Sequence, residues 1–391
     1  MKAGWQKKKL HEVCELVNGR AYSKPELLTQ GKYRVLRVGN FFTNDHWYYS
    51  DLELDEKKYC DTGDLLYAWS ASFGPRIWSG EKVIYHYHIW KVLPDYTLID
   101  KKFLFLWFLW DTEQIKEDHG AGTTMIHVSK GSMDDRDILL PPLPEQQRIV
   151  GILDDAFDGI ATAKANAEQN LQNARALFES HLQSVFTQRG EGWMVRSLED
   201  VVDANCTLSY GIVQPGSEVE DGLPVVRPTD LTSKLITLDG LKRIDPKLAD
   251  GYRRTTLRGG ELLLCVRGST GIISVTAPEL AGANVTRGIV PIVFNPSLLS
   301  QDFGYFMMIS EAIQSQIREK TYGAALMQIN IGDLRKVVVS FPSMLEQKKM
   351  AAKLEELAEE TQRLESLYQR KLAALDELKK SLLHQAFSGA L

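Results

Sequence analysis

Two stretches of the chain carry the same helical spacing of apolar positions. Between residues 140 and 186, small or apolar side chains recur at Ile149, Leu153, Ala156, Ile160, Ala163, Ala167, Leu171, Ala174 and Leu177, a 4-3 alternation up to one 4-4 step, followed by two steps of three. Between residues 341 and 387 the series is Met350, Leu354, Leu357, Thr361, Leu364, Tyr368, Leu372, Leu375 and Leu378, with the irregular step in the same place. So narrow a seam is that of a two-helix coiled coil rather than a helix lying on a sheet. Each stretch therefore predicts one long helix, and neither helix buries its seam alone, so each is the natural partner of the other. The starts agree: Pro144 stands in the first turn of the first copy, and Ser343 with Glu346 three residues on forms a capping box in the second.

A constant offset of 201 residues superimposes Pro141 on Pro342, Glu145 and Gln146 on Glu346 and Gln347, and Phe186 on Phe387. The repeat extends outside the helices. Gly4 and Trp5 return as Gly192 and Trp193, and Val35, Leu36 and Arg37 before Asn40 return as Val225, Val226 and Arg227 before Asp230. Gly63, Asp64, Leu65 and Leu66 return as Gly260, Glu261, Leu262 and Leu263, and the 122–131 segment as 323–332. Short runs rich in β-branched and aromatic residues, such as 81–93 and 286–294, predict strands, while 103–117 and 303–320 predict helices at matching places. The expected architecture is a tandem duplication of α+β class. It has globules at 1–137 and 191–337, and helical spacers at 138–190 and 338–391. An antiparallel return of the second helix makes the chain nearly circular, with a pseudo-two-fold relation and the globules roughly 60 Å apart along the rod.

Composition changes this picture little. With 391 residues, 44% hydrophobic and 25% charged, there is room for two globules and the helices. The apolar run 103–110 is too short to span a bilayer, and the N-terminus has no apolar signal core, so a cytoplasmic protein with no membrane partner is expected. Cys14, Cys60, Cys206 and Cys265 are scattered without a Cys-x-x-Cys pair and read as core thiols. A net charge of -5 argues against a nucleic-acid partner, but residues 1–40 hold nine basic against three acidic side chains, and residues 241–270 seven against three.

Catalytic readings are weak. Asp95, Asp100 and Lys101 imitate a nuclease set, but the two acids are too close in sequence to flank one metal from adjacent strands. His86 and His88 fall on one face of an expected strand and would begin a metal site, but no third ligand follows nearby. The chain contains no Walker-type phosphate loop and no Asn-Pro-Pro-Tyr amino-methyltransferase signature. The expectation is a chain that is not an enzyme and that binds neither metal nor cofactor.

The two-fold order, the helix-leading Pro142, Leu143, Pro144, Glu145 and Gln146, the Gly63 to Leu66 strand start and the 210–214 segment closely resemble the specificity subunit of type I restriction-modification enzymes. Leu345 in place of the second copy's proline is a departure in detail. The resemblance implies that the globules are target-recognition domains, each reading half of a bipartite, asymmetric site on double-stranded DNA. It also implies that the paired helices span the unread bases and dock two adenine methyltransferase subunits, joined by two restriction subunits. S-adenosylmethionine, and ATP with Mg for restriction, then belong to those partners.

Base readout needs bidentate donors such as Arg, Asn and Gln, and phosphate anchoring needs basic and hydroxyl groups. On that basis the expected DNA contacts are Arg37, Asn40, Ser70 and Ser72 in the first globule. In the second they are Tyr210, Gln214, Arg227, Arg253, Arg254, Arg267, Ser269 and Thr270. The 69–74 loop is the counterpart of the Arg267 loop but lacks an arginine, so the two globules would read different half-sites. Glu145, Gln146, Glu346 and Gln347 are the expected partner-binding residues. The competing reading is a coiled-coil adaptor with two protein-binding modules and incidental charge blocks.

Overall fold

The computed structural model describes residues 4–42, 44–71, 73–118, 126–323 and 326–391. The chain forms two compact units, residues 1–168 with 369–391, and residues 169–368.

In the first unit, strand Gln6–Lys9 pairs antiparallel with Asp137–Leu140, tying its start to its end. Lys7 and Lys9 both reach Asp137, at 2.8 and 2.7 Å. An antiparallel sheet runs in the order Cys14–Asn18, Ile89–Pro94, Leu65–Ala68, Gly74–Ile77. A second sheet runs in the order Tyr48–Ser50, Tyr33–Leu36, Val83–Tyr85, Tyr59–Cys60, with its central pair parallel. Leu65 to Ala68 are all buried, as a strand covered on both faces requires. Helix Lys101–Asp118 buries Phe103, Leu106, Trp107 and Phe108 in the main core.

The second unit repeats the plan. Strand Met194–Ser197 pairs with Val338–Phe341, and Leu223–Val226 lies parallel to Asn284–Val285. Leu262–Cys265 sits between Ile273–Thr276 and Ile289–Ile292. The helix expected over 303–320 is broken into Gln301–Ile309 and Glu311–Glu319. Ser310 takes extended angles between them, and its buried hydroxyl donates to the Met307 carbonyl at 2.7 Å, closing the first piece. A serine before an acidic residue is an N-cap signal that the apolar pattern conceals.

The long helices are Leu143–Thr187 and Met344–Ser388, 45 residues each. Within the first unit Lys164 pairs with Asp376 at 2.5 Å, and within the second Arg175 pairs with Glu365 at 2.9 Å, so the two helices run antiparallel. The 201-residue offset relates these pairs: the first helix supplies both cations and the second both anions. Most of the expected seam is buried or half-buried, including Ile149, Leu153, Ile160, Ala167, Ala174 and Leu354. Leu177 and Leu378 are exceptions at equivalent positions, 60% and 47% exposed. A 3.6-residue helix drifts off a 3.5-residue seam. Here the buried line moves to Leu182 and Phe186 in one copy and to Leu383, Ala386 and Phe387 in the other.

The join between each sheet region and its helix rests on a buried glutamine. Gln146 accepts from the Asp100 N–H at 2.7 Å and donates to the carbonyls of Leu98 and Pro141 at 2.9 and 2.8 Å. Gln347 does the same with the Ser300 N–H, Leu298 and Pro342, each at 2.9 Å. Replacing either by Ala leaves a buried N–H and two carbonyls without partners, and is expected to cost about 1–3 kcal/mol. Denaturant unfolding of each variant checks this; a change below about 0.5 kcal/mol would contradict it.

Candidate nucleic-acid interface

In the first unit, strand Tyr33–Leu36 delivers Arg37 to the surface, just before a five-residue helix, Val38–Phe42, that holds Asn40. Both residues line a hollow of about 250 Å³ with Asn44, His46, His86 and His88. Arg37 lies over the Tyr48 ring at 5.3 Å, and no carboxylate pairs with it among the described residues. Asn40 is committed: its amide nitrogen donates to the carbonyls of Asn44 and His46 at 2.9 and 2.7 Å, bracing the wall of the hollow. Ser70, expected on a loop, lies in strand Ser70–Ala71 opposite His127 and is 5% exposed, so its hydroxyl is not presented at the surface. Ser72 lies outside the described residues.

His86 and His88 do not share a strand face. The expected 81–93 strand is two strands, Val83–Tyr85 and Ile89–Pro94, with residues 86–88 turning between them. The two imidazoles stand 4.9 Å apart, and no cluster of three metal-ligating side chains occurs among the described residues. Burial, with His88 and Arg37 nearby, pushes the His86 imidazole down to about 4. Burial and His127 lower that of His88.

In the second unit several expected residues converge on the strand Gln328–Ile329. Arg267 bridges to Gln328 through its backbone, and the Tyr210 hydroxyl donates to the Ile329 carbonyl at 3.4 Å. Thr270 donates to the Met327 carbonyl at 3.3 Å. Ser269 is exposed beside them, and Gln214 is exposed two residues beyond Ile212. Arg227 is held by Asp230 through Nε at 3.1 Å and a second nitrogen at 2.8 Å, closing a short helical turn. Arg37 and Arg227, equivalent in sequence, are therefore differently placed, one with no ion pair among the described residues and one tethered. Arg253 and Arg254 line a separate hollow with Arg258, Asp203 and Asn205.

The partner-binding expectation is corrected for two of its four residues. Gln146 and Gln347 are fully buried and spend their amides inside the fold, so neither is available to another chain. Glu145 takes both nitrogens of Arg148, at 2.7 and 2.9 Å. Glu346 is exposed and accepts from the Ser343 N–H at 3.2 Å, the Glu half of the expected capping box, and from the Ser343 hydroxyl at 2.7 Å.

Sequence reasoning missed the strongest structural match between the units. The 86–88 turn and the 286–288 turn are held by the same backbone hydrogen bonds. His86 N–H donates to Leu36 and Thr286 N–H to Val226, both at 2.9 Å. Tyr87 N–H donates to Arg20 at 3.0 Å, and Arg287 N–H to Ile212 at 2.8 Å. Trp69 and Val266 N–H donate to His88 and Gly288, at 3.1 and 2.8 Å. Gly19 and Gly211 make this possible, because a Cβ at either would fall on the carbonyl of Tyr85 or Val285. The one available signal was that pair of glycines, each directly before the residue, Arg20 or Ile212, whose carbonyl meets the turn.

The two α+β units repeat one backbone frame and present different exposed hydrogen-bonding groups. The type I restriction modification DNA specificity domain matches residues 2–173 and again 190–371, and the chain belongs to that family. The EcoBI type I restriction enzyme specificity subunit of Escherichia coli is 23% identical over 411 residues, covering 99% of this chain and 86% of the relative. The HsdS subunit from Thermoanaerobacter tengcongensis aligns with a TM-score of 0.62 at 19% identity, over 100% of this chain and 98% of that one. A chain from work on the complex assembly and conformational transition of the type I R-M system aligns with a TM-score of 0.77 at 19% identity, over 100% and 99%. The duplicated α+β fold with two long helices is thus the fold of known specificity subunits. No helix among the described residues is long and apolar enough to cross a membrane.

His86 is expected to titrate near pH 4, against roughly 6.5 for a free imidazole. A folded state that binds its proton more weakly than the unfolded chain keeps the full contribution above about 6.5 and loses it as pH falls toward 4. NMR of the imidazole carbons across that window checks this, and a midpoint near 6.5 would contradict it.

Proposed function

We propose that this chain is the non-catalytic specificity subunit of a type I restriction-modification complex. Residues 1–137 and 191–337 serve as its two target-recognition domains, and residues 138–190 and 338–391 as the helical spacer between them. Each recognition domain reads one half of a bipartite, asymmetric site on double-stranded DNA. The helices, with their starts around Glu145 and Glu346, recruit two adenine methyltransferase subunits, and restriction subunits join that core. S-adenosylmethionine, and ATP with Mg for cleavage, act in those partners.

The observation that carries this reading is the double match to a DNA specificity domain on two units that share a frame but not its exposed chemistry. Arg37 beside His86 in one unit stands against Arg267 beside Gln328 in the other. Such a difference suits two unlike half-sites, because base identity is read by the pattern of donors and acceptors. An adaptor for two proteins would not account for a DNA specificity domain in both halves.

Coexpression with its methyltransferase, followed by methylation mapping of the host genome, tests the proposal. A two-part methyladenine motif that vanishes when this gene is deleted is expected. Exchanging residues 191–337 for those of another family member should change one half of the motif only. An unchanged methylation pattern on deletion, or loss of both halves on exchange, would overturn it.

A further inference from the structure

The two equivalent turns differ most where they are most exposed. In the first unit Tyr87 projects from the frame between half-buried His86 and His88, and is 37% exposed. Tyr87 packs against His88 at 3.9 Å, and Trp69 against His88 and His127 at 5.0 and 6.2 Å. In the second unit the same backbone carries Thr286, Arg287 and Gly288, beside Val266, whose neighbour Arg267 bridges to Gln328. Arg287 is exposed, and its guanidinium enters no hydrogen bond or ion pair among the described residues. Gly288 stays bare because a Cβ there would strike Pro228. One turn is thus a ring-lined tip and the other a single unengaged guanidinium, on a scaffold fixed by identical hydrogen bonds.

Unlike side chains on a rigid common scaffold suit discrimination better than anchoring. A phosphate contact needs charge alone, and every DNA sequence supplies the phosphate. A guanidinium at the tip of a turn matches the O6 and N7 acceptors of guanine bidentately, whereas rings and uncharged imidazoles suit the thymine methyl and mixed donor-acceptor edges. We infer that residues 86–88 and 286–288 are the base-discriminating tips of the two units, with Arg287 directed at a guanine of one half-site and Tyr87 at bases of the other. This rests on the DNA-specificity reading above and adds the residues that set it.

The test uses the full chain with its methyltransferase subunits, and fluorescence anisotropy against duplexes in which each motif position is varied in turn. Arg287→Lys keeps the charge and loses the fork. Discrimination at one guanine position is expected to fall by about 10- to 100-fold, with the other half-site and binding to unrelated DNA unchanged. Tyr87→Ala is expected to relax positions in the other half-site only. Thermal melting confirms that both variants are folded. Equal weakening on all duplexes, or unchanged discrimination, would overturn the inference while leaving the specificity function standing. A wild-type complex with no sequence preference would overturn both.

Discussion

Neither unit's core is complete in its own stretch of sequence. The first is closed by the chain's last turns, where Phe387 packs on Phe103 at 5.2 Å and on Trp110 at 5.8 Å. The second is closed by Phe186, which packs on Phe303 at 5.3 Å at the far end of the first long helix. Each long helix therefore carries the closing aromatic of one unit at its C-terminal end and the buried glutamine of the other at its N-terminal end. The Phe387 contacts join residues nearly 300 positions apart and the Phe186 contact residues more than 100 apart, and contacts so distant in sequence slow folding. The ion pairs Lys164 to Asp376 and Arg175 to Glu365 contribute little stability in water, but their segregation of cations on one helix and anions on the other favours this pairing over helix with like helix.

On this frame the exposed turns differ between the units. Strand pairs, close-approach glycines and glutamine brackets recur in both units, because they satisfy buried backbone groups that have no other partner. Tyr87 and Arg287 differ in the turns, where an exposed side chain alters what the unit presents without touching the core. Ser70 and Arg267 occupy the same strand position opposite His127 and Gln328, and one is covered while the other is half-exposed.

Much of this was legible in the sequence because it repeats. The helices follow from periodicity and a constant offset, and the duplication and the α+β class from motifs that recur in the same order outside them. Three features were not legible, each for a physical reason. The His86 turn has the alternating β-branched and aromatic composition of a strand, and only the tertiary bonds to Leu36 and Arg20 reveal that the chain reverses there. The offset also drifts, from 192 between Arg20 and Ile212 to 200 between His86 and Thr286, so the turns do not line up by a fixed shift. Gln146 and Gln347 look like exposed polar residues at a helix start, yet burial makes them structural, since the Asp100 and Ser300 N–H groups need acceptors.

The central claim is that two units on one frame meet DNA through equivalent turns bearing different chemistry. Hydrogen–deuterium exchange of the methyltransferase complex, with and without DNA carrying its recognised site, tests it directly. Peptides covering residues 84–89 and 284–289 should both gain protection, and DNA with one half-site scrambled should remove that protection from one of the two. Protection confined to a single unit, or centred on residues 253–258 while both turns exchange unchanged, would contradict the account.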